Sequence, residues 1–209
     1  STNYNNFSYA YVSNIEDWSG KVDIDWMPNP EHLVKFGIGN IYHTFTPGVN
    51  TLQFQSQQTG TNPLNVDTTY GGQIHYAHEM SSYIEDEWTL NGRLKGNGGL
   101  HFSGFLVGNE SYWSLQPRFN MRYLIDDNSS LKIGYAKMAQ FLHLLTNTGI
   151  GLPTDLWVPA TQKIKPQFSD QIAVGYARTF LNKFEVSLEG YYKTMKNLIE
   201  YKDGADFFD

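Results

Sequence analysis

The segment 141–166, FLHLLTNTGIGLPTDLWVPATQKIKP, holds the residue types best suited to meeting a ligand. His143 supplies a titratable donor, Asp155 an acceptor and Trp157 a stacking ring, the mixture of apolar surface and a few directed polar groups that small-molecule sites use. The competing reading is architectural: Pro153, Trp157 and Pro159 fix the loop's shape against its neighbours. His75, His78 and Glu79 invite a metal, but on a strand residues 75 and 78 point to opposite faces, so no metal site is expected. Asp126-Asp127 lies in the turn signal Asp-Asp-Asn-Ser and reads as solvated rather than catalytic. No Gly-Xaa-Ser-Xaa-Gly elbow, phosphate loop or paired-carboxylate signature occurs, so neither catalysis nor a cofactor is expected.

Residues 141–166 show neither the period of a strand nor that of a helix, and they far exceed the roughly 2–6 residues of common connections. Leu144, Leu145, Ile150, Leu152, Leu156 and Trp157 give the loop enough apolar matter to fold onto something, which disordered tracts lack. The flanking segments 131–141 and 168–180 are the expected platform.

Composition narrows the class. Only 17% of the 209 residues are charged, 15% are aromatic and Gly contributes 19, with a mean hydropathy of −0.44. That is the profile of a β protein whose two faces meet different solvents, and no apolar run is long enough for a membrane helix. Cysteine is absent, which excludes disulfides and thiolate metal sites. A net charge of −6 argues against nucleic acid as a partner. No signal peptide opens the sequence.

Period-2 alternation recurs along the chain. Residues 18–26 set Trp18, Val22, Ile24 and Trp26 against Lys21, Asp23 and Asp25, and 33–44 set Val34, Phe36, Ile38 and Tyr42 against Lys35 and His43. Comparable patterns, with Asp86 as a blemish on the apolar side, cover 4–12, 73–90, 93–106, 113–125, 131–141, 168–180 and 184–195. About nine antiparallel strands follow, some 9 to 18 residues long, where soluble strands average five or six. Taken alternately, connections 27–32, 91–93, 126–130 and 181–183 are short, whereas the other rim receives 13–17, 45–72, 107–112 and 142–167. On this alternation the chain starts at the short-turn rim and ends at the other. Short turns at one rim and long loops at the other is the asymmetry of an outer-membrane barrel.

Leu90 and Leu94 are both even-numbered, as are Phe180 and Phe184, so one shared face requires an odd-length or bulged connection. Asn91-Gly92 is therefore expected to be bulged, despite its likeness to a two-residue turn. Even-numbered Val186 should meet lipid and Ser187 the lumen. A soluble sandwich would alternate too. Strand length, loop asymmetry and aromatics near strand ends (Trp26, Tyr42, Trp88, Tyr192) favour the bilayer, and charges of both signs on the other face suit a water-filled lumen. The nine strands leave open edges that lipid cannot satisfy, so the chain reads as part of a larger barrel.

Tyr83-Ile-Glu-Asp-Glu-Trp88 resembles the Tyr-x-x-Asp-x-Trp strand of TonB-dependent receptors. The stretches 131–145, 151–161, 164–176 and 189–204 resemble the C-terminal half of Bacteroidetes-type TonB-dependent outer-membrane receptors more specifically. The resemblance implies an all-β, antiparallel transmembrane β-barrel segment of a barrel of roughly 22 strands. It places 1–209 within that barrel domain, with no plug domain in the chain. Implied partners are outer-membrane lipid, the protein's own plug and the TonB complex outside these residues, a small-molecule or glycan substrate, and a surface lipoprotein. The expected activity is substrate capture and import across the outer membrane. Two alternatives stand beside it: a soluble secreted β-sandwich that binds glycans, and, among enzymes, an outer-membrane hydrolase on a small barrel.

Overall fold

The computed structural model describes residues 4–57, 64–71, 73–145, 156–181 and 183–200. Its regular elements are all strands: β1 (Tyr4–Asn29), β2 (His32–Gln57), β3 (Leu64–Gly71), β4 (His75–Asn91), β5 (Leu94–Val107), β6 (Glu110–Asp126), β7 (Ser129–Gln140), β8 (Leu142–Leu145), β9 (Leu156–Pro159), β10 (Gln167–Phe180) and β11 (Phe184–Lys196). All but β8 and β9 form one nine-stranded antiparallel sheet, ordered β1-β2-β4-β5-β6-β7-β10-β11 with β3 on β2. Strands adjacent along that path also follow one another in the chain, apart from the inserted β3 and the β8–β9 hairpin.

Nine strands were expected, but membership of the sheet differs. The supposed link at 13–17 is not a turn, because β1 runs straight through it with one register shift between Val12 and Asn14. The supposed loop 45–72 contains the outer half of β2, and β3 folds back along it from Val49↔Gly71 to Ser56↔Leu64. Both misreadings have one cause. Beyond the bilayer neither face of a strand meets hydrocarbon, so the alternation that reveals strands in the sequence lapses there. The correction also moves the chain's start: Tyr4 lies at the long-connection rim, the same rim at which β11 ends.

The apolar parity survives across the sheet. Trp18 opposes Tyr42, Val22 opposes Ile38 and Ile24 opposes Phe36, and Phe36 in turn opposes Ile84, which opposes Leu100. Further along, Tyr123–Leu131–Tyr176–Leu188 continue the same face. No second sheet covers it among the described residues: Trp18 is 70% exposed, Ile38 64% and Leu188 75%. A sandwich would bury these groups against a facing layer. Their exposure as one apolar band, on strands joined by short turns at a single rim, is the outer surface of a membrane barrel wall.

Each short turn carries a device that keeps lipid-facing side chains in phase. At β4–β5, Thr89 pairs with Lys95 but Asn91 with Leu94, leaving Leu90 as a bulge. Asn91 Oδ1 accepts from the N–H groups of Arg93 at 2.8 Å and Leu94 at 2.9 Å, so the Asn-Gly connection is bulged as expected. β6–β7 shifts between Leu124 and Asp126 and β1–β2 between Trp26 and Asn29, while at β10–β11 Phe180 pairs with Phe184, an even-to-even spacing, with Leu181 at φ 53°. At the opposite rim, Gly108-Asn109 connects β5 to β6 without a bulge, Gly108 taking φ 57°. Such a turn reverses parity, and from there the lipid face reads odd: Trp113, Leu115, Phe119 and Met121.

Candidate functional site: the inner wall and the hairpin folded onto it

The polar parity forms the opposite, inner wall. Lys21 pairs with Asp23 at 3.0 Å, and Tyr83 on β4 donates its hydroxyl to Asp23 at 2.6 Å. Lys35 on β2 reaches Glu87 on β4 at 2.5 Å. Cross-strand pairing of this kind suits a water-filled lumen. Towards the short-turn rim the wall is concave, with a hollow of about 550 Å³ lined by Glu87, Lys95, Asn97, Arg122, Lys132 and Glu189 among others. The Asp86 blemish has a partner: on the lipid face at the short-turn rim its Oδ2 lies 2.7 Å from His32 Nδ1.

Towards the long-connection rim the inner wall changes character. Phe45 on β2, Ala77 on β4, and Phe105 and Val107 on β5 are buried, and what buries them comes from the long connection: Phe141 and Ala160 pack among them. The Phe105 and Phe141 rings stack at 5.2 Å and 4°. β8 and β9, which pair from Leu142↔Pro159 to Leu145↔Leu156, therefore lie across the wall as a hairpin, with β9 against β2 and β1. The described parts of the loop, 141–145 and 156–166, are folded, as its apolar content predicted, while Ile150 and Leu152 lie outside the described residues; the expected platform is corrected. It rests chiefly on β1, β2, β4 and β5, across the sheet from the β7 and β10 strands that launch it.

Two local causes let the connection fold inward. Pairing of β6 with β7 stops at Arg118↔Ala136. The next residue outward on β6 is Pro117, which has no N–H to offer. Gln116 substitutes for the missing ladder: buried, it donates to Ser103 Oγ at 2.7 Å and its Oε1 accepts from the Ala139 N–H at 3.3 Å. The returning strand is then tied down by Ala160 N–H to Phe141 C=O at 2.7 Å and by the Tyr112 hydroxyl to Thr161 C=O, also 2.7 Å.

The three predicted contact residues fare differently. His143 is on the hairpin's inner side and only 1% exposed; burial pushes its imidazole below the ordinary histidine range. Trp157, opposite Leu144, is on the open side, and both are exposed. Asp155 lies outside the described residues. His75 stands opposite Phe45, whereas His78 packs on the Tyr42 ring at 4.9 Å on the other face. Asp126 Oδ1 accepts from the Asn128 N–H at 2.8 Å, which holds its carboxyl below the usual range and makes it a turn-former.

The sequence reading overlooked one group. His43, 2% exposed beneath Phe45 and Phe105, places Nδ1 2.7 Å from Asp17 Oδ1 and Nε2 3.5 Å from Glu79 Oε2. It ties β1, β2 and β4 together under the hairpin. The signal was hidden because Asp17 had been assigned to a link rather than to a strand opposite His43.

A one-layer antiparallel wall, apolar outside, charged inside, with its long connection folded inward, is a segment of an outer-membrane barrel. Over residues 1–209 the chain matches the family described as TonB dependent receptor-like, beta-barrel, and it belongs to that family. No curated protein matches it in sequence. Among solved structures it is similar to the FrpB iron transporter from Neisseria meningitidis (F3-3 variant), at 12% identity over 88% of this chain and 28% of that one, TM-score 0.59. It is also similar to the copper transporter OprC, at 14% identity over 91% of this chain and 31% of that one, TM-score 0.62. At such identities the likeness is one of fold, and the chain spans under a third of either transporter.

Proposed function

We propose that these residues are barrel wall of an outer-membrane receptor that captures a nutrient outside the cell and imports it, with the plug and the TonB-contacting segment elsewhere in the protein. The observation that carries this is the inward-folded hairpin: a long connection packed on an apolar patch of an otherwise polar inner wall, while the outer face stays apolar. Trp157 is the proposed stacking surface for a small molecule or glycan, and Asp155, outside the described residues, the proposed acceptor. His143, buried on the inner side of the hairpin, would meet a ligand only with the hairpin displaced. The finer relationship to the Bacteroidetes type and a surface lipoprotein partner belong to the same proposal, supported by the stretches at 131–145, 151–161, 164–176 and 189–204. Iron and copper are named for the two structural neighbours and are not carried over.

The test is growth of the native host on a panel of single limiting nutrients, with the full-length gene intact, deleted, or carrying Trp157→Ala. Deletion should abolish growth on at least one nutrient, and Trp157→Ala should weaken it there while leaving the barrel in the outer membrane. Normal growth of the deletion strain on every nutrient would overturn the import reading.

A further inference from the structure

Beyond import itself, the inner side of the hairpin holds a titratable group in a place that tolerates only one of its protonation states. Burial alternates along the segment, with Phe141 and His143 facing the wall and Leu144 facing away. Among the described residues neither ring nitrogen of His143 has a hydrogen-bond partner. It is only 1% exposed, on the side of the hairpin whose neighbouring residue Phe141 joins the buried apolar cluster of Phe45, Ala77, Phe105, Val107 and Ala160. An imidazole without partners in such surroundings is tolerated neutral and strongly disfavoured as a cation, because transfer of an unpaired charge from water is not compensated there.

We propose that His143 makes the β8–β9 hairpin an acid-released lid: with the ring neutral the hairpin stays on the wall, and with the ring protonated it leaves. Among the described residues, no ionisable group on the elements packed against it forms an ion pair with His143. On the inner wall the ionisable groups are Asp17 on β1, His43 on β2, His75 and Glu79 on β4, His101 on β5, and Glu110 and Arg118 on β6. Asp17 is hydrogen-bonded to His43 at 2.7 Å, and Glu79 lies 3.5 Å from the Nε2 of the same ring. Burial lowers the affinity of His143 for a proton. Within the hairpin β9 carries no charge, Asp155 just before it lies outside the described residues, and the returning segment carries Lys163 and Lys165, the latter over the Tyr112 ring at 5.5 Å. Opening restores His143 to water and to its ordinary value near 6.5. Linkage then makes the open fraction rise by up to about tenfold for each pH unit below that value, until the folded-state value is reached.

The full-length protein in lipid nanodiscs, followed by hydrogen exchange of the amides in 141–145 and 156–160 between about pH 5 and 7.5, tests this. After correction for intrinsic exchange chemistry, protection of the hairpin should fall up to about tenfold per unit as the solution is acidified. His143→Leu and His143→Phe should remove that dependence. His43→Gln and His101→Gln should keep it, and Tyr112→Phe, which cuts the tether to Thr161, should lower protection by a constant factor at every pH. A flat profile in the unaltered protein, an unchanged slope in both His143 variants, or a slope abolished by His43→Gln would each overturn the proposal.

Discussion

Phe105 and Phe141 stack face to face at 5.2 Å although one belongs to the barrel wall and the other to the segment arriving from the far side of the sheet. Both are almost fully buried, and together they hold the hairpin's root against β5. Phe141→Ala leaves every wall strand intact but removes an aromatic payload whose loss costs about 3–5 kcal/mol in a packed core. The expected outcome is a folded barrel whose 142–160 region is cleaved quickly by added protease. Equal cleavage rates for the variant and the unaltered protein would show that the hairpin is held by something else.

Facing on β11 gives a sharper test of which solvent bathes the apolar side. Leu188 lies midway between Phe184 at the turn and Tyr192 towards the opposite rim, paired with Tyr176 on the outer face. Leu188→Arg should destabilise the barrel by about 2–4 kcal/mol in urea unfolding from lipid vesicles. Ser187→Arg, one residue away but facing the lumen, should stay within about 0.5 kcal/mol. Similar losses at the two positions would contradict the assignment of faces.

Small residues on the lipid face hold the aromatic girdle in place. A methyl group at Gly96 would lie 2.5 Å from Trp88 Cζ2, and Gly98 sits under the same indole, whose ring also meets Phe119 at 6.0 Å. Trp113 covers Gly104 in the same manner and stacks on Phe102 at 5.5 Å. Gly96→Val must push Trp88 off the sheet, an overpacking cost of about 1–3 kcal/mol. The accompanying sign is a shift in Trp88 emission, while Gly92→Ala, with open space around it, should alter neither stability nor spectrum.

What could be read from the sequence depended on the solvent. Between Trp18 and Trp26, or Phe184 and Tyr192, hydrocarbon on one side imposes strict alternation, so strands, faces and the need for an odd-length or bulged connection at Asn91-Gly92 were legible, though not that Leu90 would be the bulged residue. Outside that band water lies on both sides. Residues 45–57 and 64–71 pair through Thr51–Thr69 and Gln53–Asp67 contacts that leave no apolar rhythm, and they passed for a loop. The hairpin was legible as a folded segment from Leu144 and Trp157, but its docking place was not. That place is set by Phe45, Ala77 and Phe105, which look like ordinary lumen positions until something arrives to cover them. Pro117 was the overlooked cue, since a proline inside a strand otherwise read as central means that one neighbour is missing.

That gap at Pro117 supports a last prediction. Above Arg118↔Ala136 the backbone of β7 loses its partner on β6, yet the Ala139 N–H faces protein rather than water and finds Gln116 Oε1 at 3.3 Å. Gln116 in turn is 3% exposed and anchored by its donation to Ser103 on β5, so one side chain serves three strands. Gln116→Leu keeps the volume but removes both bonds, leaving the Ser103 hydroxyl and the Ala139 amide unsatisfied at about 1–3 kcal/mol. Hydrogen exchange at Ala139 should then accelerate strongly, while exchange at Gly134, on the paired stretch of β7 opposite Asn120, stays unchanged. If Ala139 kept its protection in this variant, the side-chain bridge would not be what closes the seam. Pro117→Val alone should not close it either, because β7 has already diverged to launch the hairpin and an added N–H would face no acceptor in register.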